Sequence, residues 1–159
     1  MIRTLTGLSA ALIALATGAA AAPSTVRGGS PAGYEWPLRP APNQIVRDFD
    51  PPPKPWLAGN RGLDLGGHVG QAVHASNSGI VTFAGLVGGV GAVAITFGAL
   101  RTTYEPVTPT VHRGQRVNAG QVIGHLDAEA LHWGLLRGRD YLDPLALLGL
   151  LRVRLLPLG

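Results

Sequence analysis

The stretch GNRGLDLGG, Gly59 to Gly67, reads as a strand that carries a metal ligand. Asn60 stands four residues before Asp64, where a histidine would complete a zinc pair. On a strand, residues two or four apart point to the same face, so positions 60 and 64 can meet one ion. An asparagine offers zinc only a neutral, weak donor. The chain has five histidines and no cysteine, which rules out thiolate zinc sites and cysteine nucleophiles. Taken alone, Asp64 could equally cap a turn, and His132 in ALHWGL could be a satisfied core histidine. His68, His74, His112 and His125 fall on turns and strand positions without ligand-like spacing. Of these only His68, four residues after Asp64, could replace a missing ligand.

These side chains must be positioned by short strands. After Trp56 the chain runs in brief alternating segments separated by glycine, the signal of strands joined by turns. The pattern predicts strands at Gly62–Leu65, Ala72–Ala75, Ile80–Ala84, Val93–Phe97, Leu100–Glu105, Val122–Leu126 and Leu131–Leu136. Only the tail near Pro144–Leu151 offers a short helix. With 23 glycines and 13 prolines against 14% charged residues, the composition favours a turn-rich all-β protein over a helical bundle or a disordered chain. A small β-sandwich or flattened barrel follows.

The N-terminal segment MIRTLTGLSAALIALATGAAAAPS has a lone Arg3, an apolar run from Leu5 to Ala19 and an Ala20-Ala21-Ala22 end. This is the three-part plan of a signal peptide over residues 1–22, with cleavage near Ala21 or Ala22. Left uncleaved, the same segment would be a membrane anchor, and in either case the domain lies outside the cytoplasmic membrane, secreted or in the cell envelope. Residues 23–55 are proline-rich, with Pro37, Pro40, Pro42 and Pro51-Pro52-Pro53, and can hold neither a helix nor a central strand. Their first part reads as a tether; the second, which mixes in Trp36, Val46, Phe49 and Trp56, reads as an extended strap across the domain at 56–159. Loss of Arg3 with the leader lowers the formal charge from +4 to +3. The basic residues do not cluster and no aromatic-interleaved basic stripe appears, so nucleic acid is not an expected partner. Membrane contact is expected only through an uncleaved leader.

Two pieces echo each other. In GQAVHASNSGIVTFAG, Gly70 and Val73 lead to Gly79 and Val81; in HRGQRVNAGQVIGHL, Gly114 and Val117 lead to Gly120 and Ile123. Glycines at these points suit tight turns between short strands. The arrangement resembles the duplicated hybrid motif of biotinyl and lipoyl carriers and of the LytM and lysostaphin-type zinc endopeptidases. A carrier needs a lysine at a hairpin tip, yet Lys54, the only lysine, lies in the strap. The peptidase resemblance is broader. GNRGLDL is similar to the family's first metal motif, TTYEPV to the segment ending in a catalytic histidine, ALHWGL to the closing His-x-His strand, and YLDPLALL to the end of the domain.

That resemblance implies a zinc held by positions 60, 64 and 132 with a bound water, and proton-handling histidines at 106 and 130. Asp64 and His132 keep the ligand identities. Asn60 replaces the third ligand, and Pro106 and Ala130 stand where neither can move a proton. The expectation is a degenerate, catalytically impaired LytM-like domain that binds zinc weakly. It would act at the cell wall by binding peptidoglycan or regulating a wall hydrolase. The alternative is a working zinc endopeptidase that cleaves peptidoglycan cross-links with an altered site; a structural envelope protein is a third reading. Tyr104 and Trp133 are expected as core or groove walls, with a weak capacity to stack on sugar or peptide.

Overall fold

Leu131, Trp133 and Leu135 alternate with His132 and Gly134, and a strand sends the first set to one face and the second to the other. A computed structural model describes residues 33–41 and 44–150, so the leader and most of the tether lie outside the described residues. In it, the segment Ala130–Arg137 is a central strand with the three large residues fully or almost fully buried.

Among the described residues eleven strands form in chain order: β1 Ile45–Arg47, β2 Gly62–Gly66, β3 Ala72–His74, β4 Gly79–Val87, β5 Val90–Phe97 and β6 Leu100–Glu105. They continue with β7 Val107–Pro109, β8 Arg116–Val117, β9 Val122–Leu126, β10 Ala130–Arg137 and β11 Asp140–Leu142. All seven expected strands are present, Leu100–Glu105 and Val122–Leu126 with the expected ends and the other five with shifted ones. The four additional ones, β1, β7, β8 and β11, have two or three residues each, too few to show a period of two. Among the described residues the tail forms a 3-10 turn at Pro144–Ala146, where the Asp143 carboxylate accepts from the backbone N–H of Leu145 at 2.9 Å; Leu151 of the expected helix lies outside them.

An eight-stranded sheet has the order β1-β2-β10-β6-β5-β4-β8, with β11 also paired to β10; a three-stranded sheet has the order β3-β9-β7. The pairs are antiparallel. The sheets do not close on themselves, so the barrel alternative gives way to a flattened sandwich. Leu63, Leu65, Val81, Val93, Ile95, Tyr104, Leu131, Trp133 and Leu135 of the large sheet meet Val73, Val107, Ile123 and Leu126 of the small one in a single core. Trp133 and Tyr104 are its largest side chains.

The echo between the two glycine-rich pieces becomes a turn used three times. In HVGQ, HRGQ and NAGQ, the glutamine backbone N–H donates to the carbonyl three residues earlier, at 3.0–3.1 Å, across a glycine with positive φ. The glutamine side-chain oxygen accepts from the first residue's N–H: Gln71 from His68, Gln115 from His112 and Gln121 from Asn118. Such a turn needs φ > 0 at its third position, which glycine adopts without steric cost. Each turn then exchanges a pair of backbone hydrogen bonds with a single residue of another segment, Leu126, Val81 or Ala75 respectively.

The proline-rich strap contributes to this body unevenly. Leu38 is fully buried, Trp36 meets Trp133 with ring centroids 6.1 Å apart, and Phe49 packs against the core. Val46 and Trp56 are exposed, the latter with the Lys54 ammonium 5.5 Å from its ring centroid. Where the strap does enter the large sheet, β1 sits at the edge, the place where neighbouring prolines do least harm.

Candidate functional site

Alternation puts one face of the large sheet on the core and leaves the other to solvent. On this outer face lie Gly62 and Asp64 of β2, His132, Gly134 and Leu136 of β10, Arg101, Thr103 and Glu105 of β6, and Ala92 and Ala94 of β5. A groove of about 540 Å³ runs over it, walled by Phe83 and Val87 on one side and by Asn60, Arg61 and Tyr141 on the other.

Asp64 and His132 are direct cross-strand partners, and Nδ1 of the imidazole lies 2.6 Å from Oδ1 of the carboxylate. Both side chains are about three-quarters buried. The imidazole rests over Gly62, where an added Cβ would come within 2.9 Å of its ring and 2.5 Å of the Trp133 carbonyl. Position 62 therefore admits no side chain without moving the strand. Asn60 precedes β2 in an isolated bridge to Asp50 and is only 3% exposed. Its Nδ2 donates to the carbonyls of Asp48 at 3.0 Å and Arg47 at 3.5 Å, so the amide ties the strap to the start of the strand.

Among the described residues, no group of three His, Cys, Asp or Glu side chains is placed to hold a metal ion. Asp64 and His132 supply two donors, and the amide at position 60 is already engaged with the strap. A three-ligand zinc centre does not fit this donor set. His68 does not complete it: the residue lies on the turn after β2, in a separate hollow with Arg39, Gln44 and Glu129.

The positions that the resemblance assigns to proton transfer carry no titratable side chain. Pro106 links β6 to β7, and its carbonyl accepts from the N–H of Asp127 at 3.1 Å. Ala130 opens β10 opposite Gly66. Tyr104 and Trp133 have no exposed surface, so neither forms a groove wall or can stack on a ligand. The Tyr104 hydroxyl accepts from the N–H of Ser76 at 2.9 Å and donates to Thr102 Oγ1 at 3.0 Å, which in turn donates to Asn77 Oδ1 at 2.8 Å. Burial pushes the phenol's pKa up, only partly offset by the bonds with Ser76 and Thr102.

Three charged groove residues escape a reading based on ligand spacing. Glu105 lies directly across from His132 on β6, Arg101 lines the same groove further along, and the Arg61 guanidinium sits 5.7 Å from the ring centroid of Tyr141. Alternation along LRTTYE places Arg101, Thr103 and Glu105 on the face opposite Tyr104. What they oppose on other strands is a matter of register.

A sequence model described as Peptidase family M23 matches residues 58–144. An uncharacterized protein of Mycobacterium tuberculosis, Rv2891, is 46% identical over 137 residues, covering 78% of this chain. This chain spans only 55% of that relative's length. Among solved structures, Csd3 of Helicobacter pylori superposes with a TM-score of 0.61 at 24% identity, over 76% of this chain and 33% of its own. A SpoIIIAH and SpoIIQ complex matches with a TM-score of 0.62 at 20% identity, over 71% of this chain and 98% of the matched one. With the family model covering more than half of the sequence and the architecture in agreement, the chain belongs to Peptidase family M23.

Proposed function

We propose that this M23 domain works outside the cytoplasmic membrane at the cell wall, as a binding or regulatory module without hydrolytic activity of its own. One observation carries the reading. The side chains at the three ligand positions have taken other partners, Asp64 and His132 each other and Asn60 the strap carbonyls. With Pro106 and Ala130 beside them, no histidine remains at either proton-handling position. The groove above them persists, and a shaped groove suffices to bind. The match to a SpoIIIAH and SpoIIQ complex supports a fold of this type engaging another protein. Peptidoglycan or a wall hydrolase is the proposed partner, and zinc, if held, is held weakly.

Purified full-length protein incubated with peptidoglycan sacculi, with and without added zinc, tests this. The expected result is co-sedimentation with the sacculi, or stimulation of an added wall hydrolase, with no soluble muropeptides released by the protein alone. Chelator-sensitive release of muropeptides would overturn the reading in favour of a working endopeptidase. Export is checked by the mass of the native protein, which should begin near Ala22 or Pro23.

A further inference from the structure

The outer sheet face beneath the groove is ordered in three rows by strand register. At one end Arg101, Leu136 and Tyr141 lie side by side across β6, β10 and β11, with Arg61 against the Tyr141 ring. The middle row, Ala94, Thr103, Gly134 and Gly62, is made of small residues. At the far end Glu105, His132 and Asp64 stand in line across β6, β10 and β2. The rows are two residues apart along each strand, so the ends are separated by about 13 Å at ~3.3 Å per residue.

The two ends differ in sign. Arg61 and Arg101 make one end cationic. At the other, Asp64 is hydrogen-bonded to His132, and Glu105 adds a second carboxylate. Among the described residues, neither the Arg101 nor the Glu105 side chain has a hydrogen-bond or ion-pair partner. The β4–β5 wall does not neutralise them, because no Asp, Glu, Lys or Arg occurs between His74 and Arg101. An extended chain advances about 3.3–3.6 Å per residue, so some four residues of peptide span the distance between the ends. At mid-floor the groove is lined by the short side chains of Ala94 and Thr103, which leave room for those of such a segment, while the His132 ring covers Gly62 and Thr103 covers Gly134.

Building on the groove as the binding surface, we infer that it takes an extended peptide of about four residues with opposite charges at its ends, a carboxylate meeting Arg101 and Arg61 and an ammonium meeting Glu105. Opposite charges at a fixed spacing set the direction in which the peptide lies, which an uncharged groove of the same shape would not do.

Tetra-alanine with free termini is a direct probe, titrated into the 15N-labelled full-length chain and followed by backbone amide shifts. The amides of β6 and β10 are expected to move. Amidating the peptide C-terminus or acetylating its N-terminus should each weaken binding at least about threefold, the scale of an exposed ion pair. In Arg61→Gln/Arg101→Gln the amidation effect should vanish while the acetylation effect remains; in Glu105→Gln the reverse should hold. Equal binding of all peptide forms, or no groove shifts at millimolar peptide, overturns the inference. Sacculus co-sedimentation separates it from the cell-wall reading. Sedimentation with charge-blind peptide binding leaves the wall reading standing without this inference. Charge-dependent peptide binding without sedimentation does the opposite.

Discussion

Asp64 and His132 stand directly opposite each other on neighbouring antiparallel strands, joined by a hydrogen bond of 2.6 Å. Each is the other's partner at positions that the family resemblance assigns to metal ligands. Asn60, the third position that the resemblance assigns, is turned onto the strap.

Asn60→His should supply a third donor beside this pair. Zinc affinity, measured by calorimetry on the purified chain, is expected to rise at least about tenfold, because first-shell donor number dominates affinity. Sacculus cleavage should stay absent. Pro106 and Ala130 still provide nothing to move a proton or stabilise an oxyanion, and each such group is typically worth about a hundredfold or more in rate. Cleavage by the single variant as fast as by Asn60→His/Ala130→His would show that position 130 does not limit activity.

Tyr104→Phe removes the hydroxyl that joins Ser76 to Thr102 in the core. The Ser76 N–H then loses its acceptor in a buried setting, which costs about 1–3 kcal/mol. Urea unfolding should show a lower midpoint at unchanged slope. Groove binding should be unaffected, since Tyr104 has no exposed surface.

Gly62→Ala would place a methyl group 2.5 Å from the Trp133 carbonyl and 2.9 Å from the His132 ring. A backbone atom cannot turn away as a side chain does, so β2 and β10 must separate. The expected loss is about 1–3 kcal/mol, as for other overpacked sites. Thermal unfolding reads it, and the His132 ring resonances should move in the folded variant.

His74 gives the fold a pH dependence. Its pKa lies below the ordinary 6.5, first because burial disfavours the charged ring and then because Arg39 is near; the Pro37 carbonyl and Glu35 oppose the shift. The unfolded chain therefore takes up the proton first. The contribution of neutral His74 is complete above pH 6.5 and declines as the pH falls below that value toward the folded pKa. Urea midpoints should be lower at pH 5.5 than at 7.5, with a smaller difference in His74→Gln. An equal difference in both proteins would assign the dependence to other groups.

The longer strands were legible because alternation is local. Val93–Phe97 and Leu100–Glu105 announce themselves by Val93, Ile95, Thr102 and Tyr104 turning to one side. The glycines of the repeated turns were legible too, since only glycine enters the left-handed region at no steric cost. The composition and the motifs around Asp64 and His132 were enough to reach the all-β class and the family. By contrast, strands as short as Arg116–Val117 and Val107–Pro109 leave no period to read, and they form because a neighbouring strand offers its edge.

What the chain order determined on its own was which residues share a face of one strand; what only the tertiary structure decided was which faces meet. Asn60 and Asp64 were identifiable from GNRGLDLGG, but the direction of the Asn60 amide depends on Asp48, brought to it by the strap. Trp133 and Tyr104 were visible as aromatics next to candidate functional positions, and it took the packing of two sheets to bury them completely. Glu105, His132 and Asp64 are distant in sequence and form a row only through the registers of β6, β10 and β2. A one-residue slip in any of those pairings would reverse the face of every side chain on the slipped strand. Register is set by the summed burial of the whole core, a non-local quantity that no single motif contains.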